Sequence, residues 1–153
     1  MGLSIRNLSV TIAEAQILSG VSLHVPSHAL VGLIGRNGAG KTTFLRSVMG
    51  LTYIRAGEMI HDGISLRGVP PYRRAKIGIG YMPEDRRLVP ELTVEENVLL
   101  PAWATSLSDE TDRLRWIYRL LPEVEKFSSR KAIQLSGGQQ KLVALARALM
   151  VGR

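Results

Sequence analysis

Residues 35–42 constrain the fold of this chain most, and they read Gly35-Arg36-Asn37-Gly38-Ala39-Gly40-Lys41-Thr42. The spacing Gly-x-x-x-x-Gly-Lys-Thr is the P-loop pattern, in which backbone N–H groups of a glycine-rich turn surround the phosphates of a nucleotide. In this pattern the lysine ammonium lies on the terminal phosphates, and the threonine hydroxyl binds the Mg²⁺ that bridges them. The motif therefore predicts a nucleotide site between a strand and a helix.

The residues on both sides of this loop supply that context. Ala29–Ile34 is a short apolar run typical of a buried strand. Phe44–Met49 can continue a helix, and Gly50 would end it. A glycine-rich turn that matched the motif by accident would not require a strand and a helix at these positions, so we favour a nucleotide-binding P-loop.

Several other stretches have the pattern of strands. Leu3–Val10 and Val21–Val25 alternate apolar and polar residues, and residues 56–66 predict a hairpin around an Asp-Gly turn. Ile77–Met82 is a further extended apolar run. Strands that alternate with helices predict an α/β core with a parallel sheet. The charged loop 83–87 would then follow the carboxyl end of a strand, where ligands bind in open α/β sheets.

The middle of the chain has the pattern of a helical insertion. Thr93 and Glu96 are spaced as a capping box at the start of a helix over 94–100. Pro101 predicts a break, and a second helix covers 109–121 before the next proline. We therefore predict that helices interrupt the α/β core here.

Composition narrows the class of protein. The chain has 153 residues, 45% of them hydrophobic, which suits one domain with a packed core. It has no cysteine, which excludes disulfides and thiolate metal sites. No apolar run is long enough to span a membrane, so we expect a cytoplasmic protein. The net charge of +7 is scattered and aromatic residues are only 5%, so nucleic acid is not an expected partner.

A second glycine-rich stretch lies near the other end of the chain, Leu135-Ser136-Gly137-Gly138-Gln139, followed by residues with helical periodicity. Ser136 and Gln139 form a second capping box. A serine and two glycines at the N-terminus of a helix would make a second site for an anion.

The two glycine-rich stretches together resemble the ATP-binding cassette (ABC) family, in which 35–42 is the Walker A motif and 135–139 is the signature. The resemblance covers the whole chain. It implies an α/β P-loop NTPase core with an antiparallel β subdomain and a helical insertion. The expected divisions are a β and P-loop core over 1–92, a helical subdomain over 93–134, and the signature with its helix over 135–153.

The resemblance also implies the ligands and the partners. The cofactors would be ATP and Mg²⁺, with Lys41 and Glu84 in catalytic roles and with Thr42 and Glu84 on the metal. Two nucleotide-binding domains pair in this family, so the partners would be a second such domain and transmembrane permease subunits docked around residues 84–103. The protein would be peripheral on the cytoplasmic face of the membrane. The residues expected to bind the nucleotide are Gly35, Asn37, Gly38, Ala39, Gly40, Lys41, Thr42, Thr43, Ser136, Gly137, Gly138 and Gln139.

Residues 81–87 and 90–97 are similar to the ATPase subunits of branched-chain amino acid importers. Glu84 stands where most family members have a glutamine, and those importers resemble this chain in having a glutamate at that position. No aromatic residue near Ile12 is available to stack on adenine. The chain ends at Arg153, where the family continues into the Walker B strand, the catalytic glutamate and the switch histidine. We therefore expect negligible hydrolysis by this chain alone, with weak ATP binding or aggregation.

The sequence is also compatible with other functions. A non-transport ABC protein that acts on ribosomes or DNA would share both motifs. A nucleotide-binding fragment without enzymatic activity is a further alternative. A small P-loop kinase or GTPase fits less well, because neither class requires residues 135–139.

Overall fold

The computed structural model describes residues 2–152. The chain divides into two compact units, of which the first ends at Arg74 and the second begins at Ala75. The division at 92 and 134 expected from the sequence stays a prediction. No helix within residues 2–152 is long and apolar enough to cross a membrane.

The first unit contains a four-stranded antiparallel sheet with the strand order β2-β1-β3-β4. The strands are β1 (Gly2–Ile12), β2 (Ala15–Pro26), β3 (Ile54–His61) and β4 (Ile64–Ser65). Two-residue turns join β1 to β2 and β3 to β4, and all four turn residues have positive φ, as tight hairpins require. The predicted antiparallel strands and the Asp62-Gly63 turn are therefore confirmed.

Two predicted strands do not form. Within residues 2–152, residues 29–34 and 79–82 have no strand partner, and Leu30 and Ile34 are 101% and 96% exposed. The sheet within residues 2–152 has no parallel pair, so the prediction of a parallel sheet is wrong for this part of the chain. A strand needs a neighbour for its backbone N–H and C=O groups, and an apolar run alone does not supply one.

Two helices complete the first unit. Helix α1 (Lys41–Val48) ends before Gly50, as predicted, and α2 (Pro71–Arg74) begins at a proline. Arg74 is buried although it is charged, and its guanidinium donates to the backbone carbonyls of Ser47 and Val48 at the end of α1. The buried apolar side chains of this unit are Ile5, Leu8, Val10, Leu18, Phe44, Val48, Met59 and Leu66.

The second unit is helical. It contains α3 (Val94–Thr105), α4 (Glu110–Leu120), α5 (Pro122–Lys126) and α6 (Gly137–Leu149), with short 3₁₀ turns at Ala75–Ile77 and Ala132–Gln134. One apolar core joins the four helices. Its buried members are Val94, Val98, Ala102, Ile117, Val124, Phe127, Leu135, Val143, Ala146 and Met150.

The two prolines on which the prediction depended differ in outcome: Pro101 does not break its helix, whereas α4 ends at Leu120, before Pro122, as predicted. Pro101 lies inside α3, and the helix continues to Thr105. The core explains this result, because Val98 and Ala102 on either side of the proline are fully buried and tertiary packing outweighs the lost hydrogen bond. Pro122 begins α5, at a position where a missing N–H has no intrahelical partner to lose.

Candidate nucleotide site

The glycine-rich loop leads directly into α1. Gly38 and Gly40 have φ of 81° and 88°, a region that favours glycine. Ala39 N–H donates to the carbonyl of Arg36 at 3.1 Å, and Phe44 N–H donates to Gly40 at 2.8 Å as the helix begins. In the described part of the chain, no side chain caps the N-terminus of α1. The N–H groups of its first turn are therefore available to an anion.

Strand β2 supports the loop. A Cβ at Gly40 would lie 2.7 Å from Cδ2 of Leu18 and 3.3 Å from the carbonyl oxygen of Ile17. The backbone of the loop can make this close approach only because position 40 has no side chain. The start of α1 is thereby held against the sheet.

The Lys41 ammonium lies across the start of the loop. Its Nζ donates to the carbonyl of Gly35 at 2.6 Å and to the carbonyl of Arg36 at 2.8 Å. A cation at the loop and uncapped N–H groups at the helix start are the donors that a polyphosphate requires. The residues present therefore fit a nucleotide phosphate chain.

The predicted metal ligands are a hydroxyl and a carboxylate. The Thr42 and Glu84 residues are exposed, whereas the neighbouring Thr43 is half-buried. Within residues 2–152 no group of three or more His, Cys, Asp or Glu residues could hold a metal ion. Mg²⁺ at nucleotide sites is usually held by one or two protein groups together with phosphate oxygens, so a dense cluster is not required.

The second glycine-rich stretch begins α6 with the predicted capping box. Ser136 N–H donates to Oε1 of Gln139 at 3.0 Å, and Gln139 N–H donates to Ser136 Oγ at 3.3 Å. Gly137 and Gly138 are exposed in the first turn. Since Ser136 Oγ accepts in this pair, its hydroxyl hydrogen can be donated to an anion.

Glu84 lies in a charged loop of the second unit, before two residues in the left-handed region. Arg86 and Arg87 have φ of 60° and 49°, and Nε of Arg87 donates to Asp85 Oδ2 at 2.7 Å. This hydrogen bond raises the pKa of Arg87. The sequence reasoning missed that Arg86 and Arg147 join this loop to α6. The contacting groups are 51 to 61 residues apart and leave no periodic signal.

A family model described as ABC transporter matches residues 18–153. The chain belongs to the ABC transporter family. This membership confirms the resemblance that residues 35–42 and 135–139 indicated. It also confirms the α/β P-loop NTPase fold class with an antiparallel sheet and a helical region.

Curated ABC relatives are similar over nearly the whole of this chain. A probable branched-chain amino acid transport ATP-binding protein, LivF of Archaeoglobus fulgidus, is 34% identical over 94% of this chain and 61% of its own length. The branched-chain amino acid transport protein BraG of Pseudomonas aeruginosa is 34% identical over 97% and 64%. The lipopolysaccharide export protein LptB of Haemophilus influenzae is also 34% identical, over 96% and 62%.

Solved ABC structures have the same fold. An ATP-binding subunit of an ABC transporter superposes with a TM-score of 0.84 at 31% identity, over 98% of this chain and 62% of that chain. A dimeric ABC cassette bound to ADP and Pi superposes with a TM-score of 0.81 at 31% identity, over 97% and 69%. This chain therefore spans about six tenths of the length of the curated relatives it matches.

The site residues fall into two sets by unit. The first unit carries the loop and helix start, from Gly35 to Thr43. The second unit carries Glu84 and the signature residues 136–139. The geometry of each set fits an anion, and the contact of each residue with a nucleotide stays a prediction.

Proposed function

We propose that this chain is the ATP-binding part of an ABC transporter subunit and that it holds Mg²⁺-ATP at residues 35–43. The observation that carries the proposal is the Lys41 ammonium, which lies 2.6 and 2.8 Å from the first two loop carbonyls, beside an uncapped helix start. Family membership supports ATP as the nucleotide.

Different residues of the chain are assigned to different parts of Mg²⁺-ATP. Lys41 would neutralise the terminal phosphates, the N–H groups of Gly38 and of Gly40 to Thr43 would donate to phosphate oxygens, and the Thr42 hydroxyl and the Glu84 carboxylate would hold Mg²⁺. Bound Mg²⁺-ATP supplies the phosphoryl chemistry that drives the transport cycle. The Ser136 hydroxyl and the N–H groups of Gly137 and Gly138 serve the nucleotide held by a second copy or a paralogous domain. ATP hydrolysis is proposed for the whole protein.

We propose further that the transported solute is an amino acid and that the transporter is an importer. The similarity of residues 81–87 and 90–97 to branched-chain amino acid importers supports this solute class, as do the names of two relatives. The partners are transmembrane permease subunits, to which this chain binds as a peripheral protein on the cytoplasmic face of the membrane. A relative of equal identity serves lipopolysaccharide export, so the solute requires its own test.

Nucleotide binding is tested by titration of the chain with a fluorescent ATP analogue in the presence and absence of Mg²⁺. Lys41→Ala should weaken binding about 10- to 100-fold, the effect of losing charge-assisted hydrogen bonds. Arg46→Ala is the matched control, because it removes one positive charge from the exposed last turn of the same helix. Equal affinities for the two variants would reject the Lys41 role.

The solute is tested with the full-length gene product and its permease subunits in proteoliposomes. ATP-dependent uptake of leucine, with no uptake of putrescine, would support the importer proposal. Uptake of putrescine alone, or export of lipid, would reject the amino acid. The nucleotide proposal would stand in either case, because it depends only on the titration.

A further inference from the structure

Two arginines connect the Glu84 loop and α6 in opposite directions. Nη1 of Arg86, in the loop, donates to the carbonyl of Gly137 at 3.2 Å and to Oε1 of Gln140 at 3.1 Å. Nη1 of Arg147, on α6, donates to the carbonyl of Arg87 at 2.7 Å, and its Nη2 donates to the carbonyl of Arg86. Each element thus binds backbone of the other.

The attachment points are far apart along α6. Gly137 and Arg147 are separated by about 15 Å on a helix axis at 1.5 Å per residue. A loop attached at one point could pivot, whereas a loop attached near both ends of α6 is fixed in position and direction. A Cβ at Gly137 would lie 3.4 Å from Nη1 of Arg86. The guanidinium therefore packs closely against the glycine backbone.

The loop itself depends on these contacts. Arg86 and Arg87 both adopt a left-handed backbone that is unfavourable for residues with a Cβ, and the carbonyls of both are bound by Arg147. Arg147 is half-buried, and burial lowers its pKa. Among the described residues no carboxylate forms a salt bridge with Arg147. Its charge is therefore matched to backbone carbonyl dipoles.

The apolar core holds α6 by other side chains. Val143, Ala146 and Met150 are fully buried, and none of them contributes to the arginine contacts. The helix should therefore remain folded without the arginines. What the arginines add is a fixed relation between the loop and the first turn of the helix.

We propose that Arg86 and Arg147 form a two-point brace that makes the loop carrying Glu84 and the first turn of α6 move as one body. Both are positioning residues. The value of the brace to the transporter rests on the proposed function, in which Glu84 binds Mg²⁺ and residues 136–138 meet a second nucleotide. A displacement of the loop by a bound partner would then be carried to the signature.

The test is amide hydrogen exchange on the full chain, read at Arg86, Arg87, Gln139 and Gln140, whose amides all donate hydrogen bonds. Arg147→Met should raise exchange about tenfold at Arg86 and Arg87, the effect of losing charge-assisted hydrogen bonds. It should also raise exchange at Gln139 and Gln140, although the substitution lies about two turns away. Arg115→Met is the control, because among residues 2–152 Arg115 pairs only with the exposed Asp112, and its substitution should change exchange in neither region.

Exchange raised in both regions supports the brace. Exchange raised in the loop alone, or in neither region, overturns it. Arg147→Lys keeps the positive charge, but a single ammonium nitrogen cannot replace the two guanidinium nitrogens that donate to two carbonyls. This variant should therefore raise exchange less than Arg147→Met does. This variant also serves if Arg147→Met does not fold. The combined Arg86→Met and Arg147→Met effects should be less than the product of the single effects, since both substitutions break one coupled unit.

A binding titration distinguishes failure of the brace proposal from failure of the proposed function. In the absence of Mg²⁺, Arg147→Met should leave the affinity of the chain for the fluorescent ATP analogue unchanged, because residues 35–43 lie in the other unit and Glu84 contributes to binding only through the metal. If Lys41→Ala does not weaken that affinity, the proposed function fails while the exchange result stands. If the exchange result fails while Lys41→Ala weakens binding, only the brace is rejected.

Discussion

Arg74 lies directly against Gly50: a Cβ at position 50 would be 2.7 Å from Nη2 of the arginine. The guanidinium cannot move away easily, because it also donates to the carbonyls of Ser47, Val48, Leu66 and Val69. Gly50 has φ of 69°, which is itself unfavourable for other residues. The end of α1 therefore depends on a glycine and a buried arginine together.

We expect Gly50→Ala to destabilise the chain by about 2–3 kcal/mol, of which about 1 kcal/mol is the cost of positive φ and the rest is displacement of Arg74. Gly63→Ala isolates the first term, because Gly63 has φ of 84° and no heavy atom within 4 Å of its ideal Cβ. Urea denaturation followed by circular dichroism measures both. Equal losses of unfolding free energy for the two variants would show that Arg74 can be displaced without destabilising the chain.

Replacement of Arg74 should destabilise the first unit strongly. Arg74→Met leaves four backbone carbonyls without this donor and removes a positive charge from the C-terminal end of α1. We expect a loss of about 2–4 kcal/mol in urea denaturation. Arg73→Met, the adjacent exposed residue, should cost less than about 0.5 kcal/mol. A small effect at both positions would contradict the capping role.

Asn97 is a second buried polar residue, and its side chain hydrogen-bonds the backbone before α3. Its side chain accepts from Val89 N–H at 2.8 Å and donates to the carbonyls of Val89, Leu92 and Thr93. Asn97→Ala should cost about 2–4 kcal/mol, because these groups lose a partner at a fully buried position. It should also speed amide exchange at Val89. Asn37→Ala, in the exposed glycine-rich loop, is the control for stability.

Glu96 predicts a pH dependence of stability. Hydrogen bonds from the Thr93 N–H at 2.7 Å and the Thr93 hydroxyl at 2.9 Å lower the pKa of Glu96. Because the folded pKa lies below the unfolded value, the stabilisation is present above about pH 4.5 and is lost as pH falls through the folded pKa. Wild type should exceed Glu96→Gln in urea midpoint at pH 7, and the difference should shrink towards pH 3.

The control for this pH series is Glu91→Gln, an exposed carboxylate near the same helix. Its midpoint should differ little from wild type at pH 7. A wild-type advantage over Glu96→Gln that stays constant from pH 7 to pH 3 would contradict the role of the ionised carboxylate in the capping box.

The features that could be predicted from the sequence depend on residues close together in the chain. The capping boxes at Thr93 and Ser136 span three residues, and the Asp62-Gly63 hairpin depends on two residues with positive φ. The P-loop motif is equally local. Short-range hydrogen bonds and backbone preferences decide all of these, and both can be read from residue type and spacing.

The features that could not be predicted depend on distant residues. Leu30 and Ile34 have the composition of a buried strand, but a strand also needs a neighbour that residues 2–152 do not provide. Pro101 is accommodated because the surrounding core outweighs its lost hydrogen bond. The contacts of Arg147 with the loop join residues 60 and 61 positions apart. Apolar periodicity carries no information on any of these three.

The pairing of β1 with both β2 and β3 sets an expected order of folding. The turn at Ala13 and Glu14 brings β2 to β1 at once, whereas β3 must return across residues 27–53, as in the pair Leu3 and His61. Closure of the longer loop costs more entropy and should follow the hairpin. The P-loop lies within that longer loop. On a chain emerging from the ribosome, the segment that carries the P-loop should therefore be closed between two paired strands only after His61 has been released.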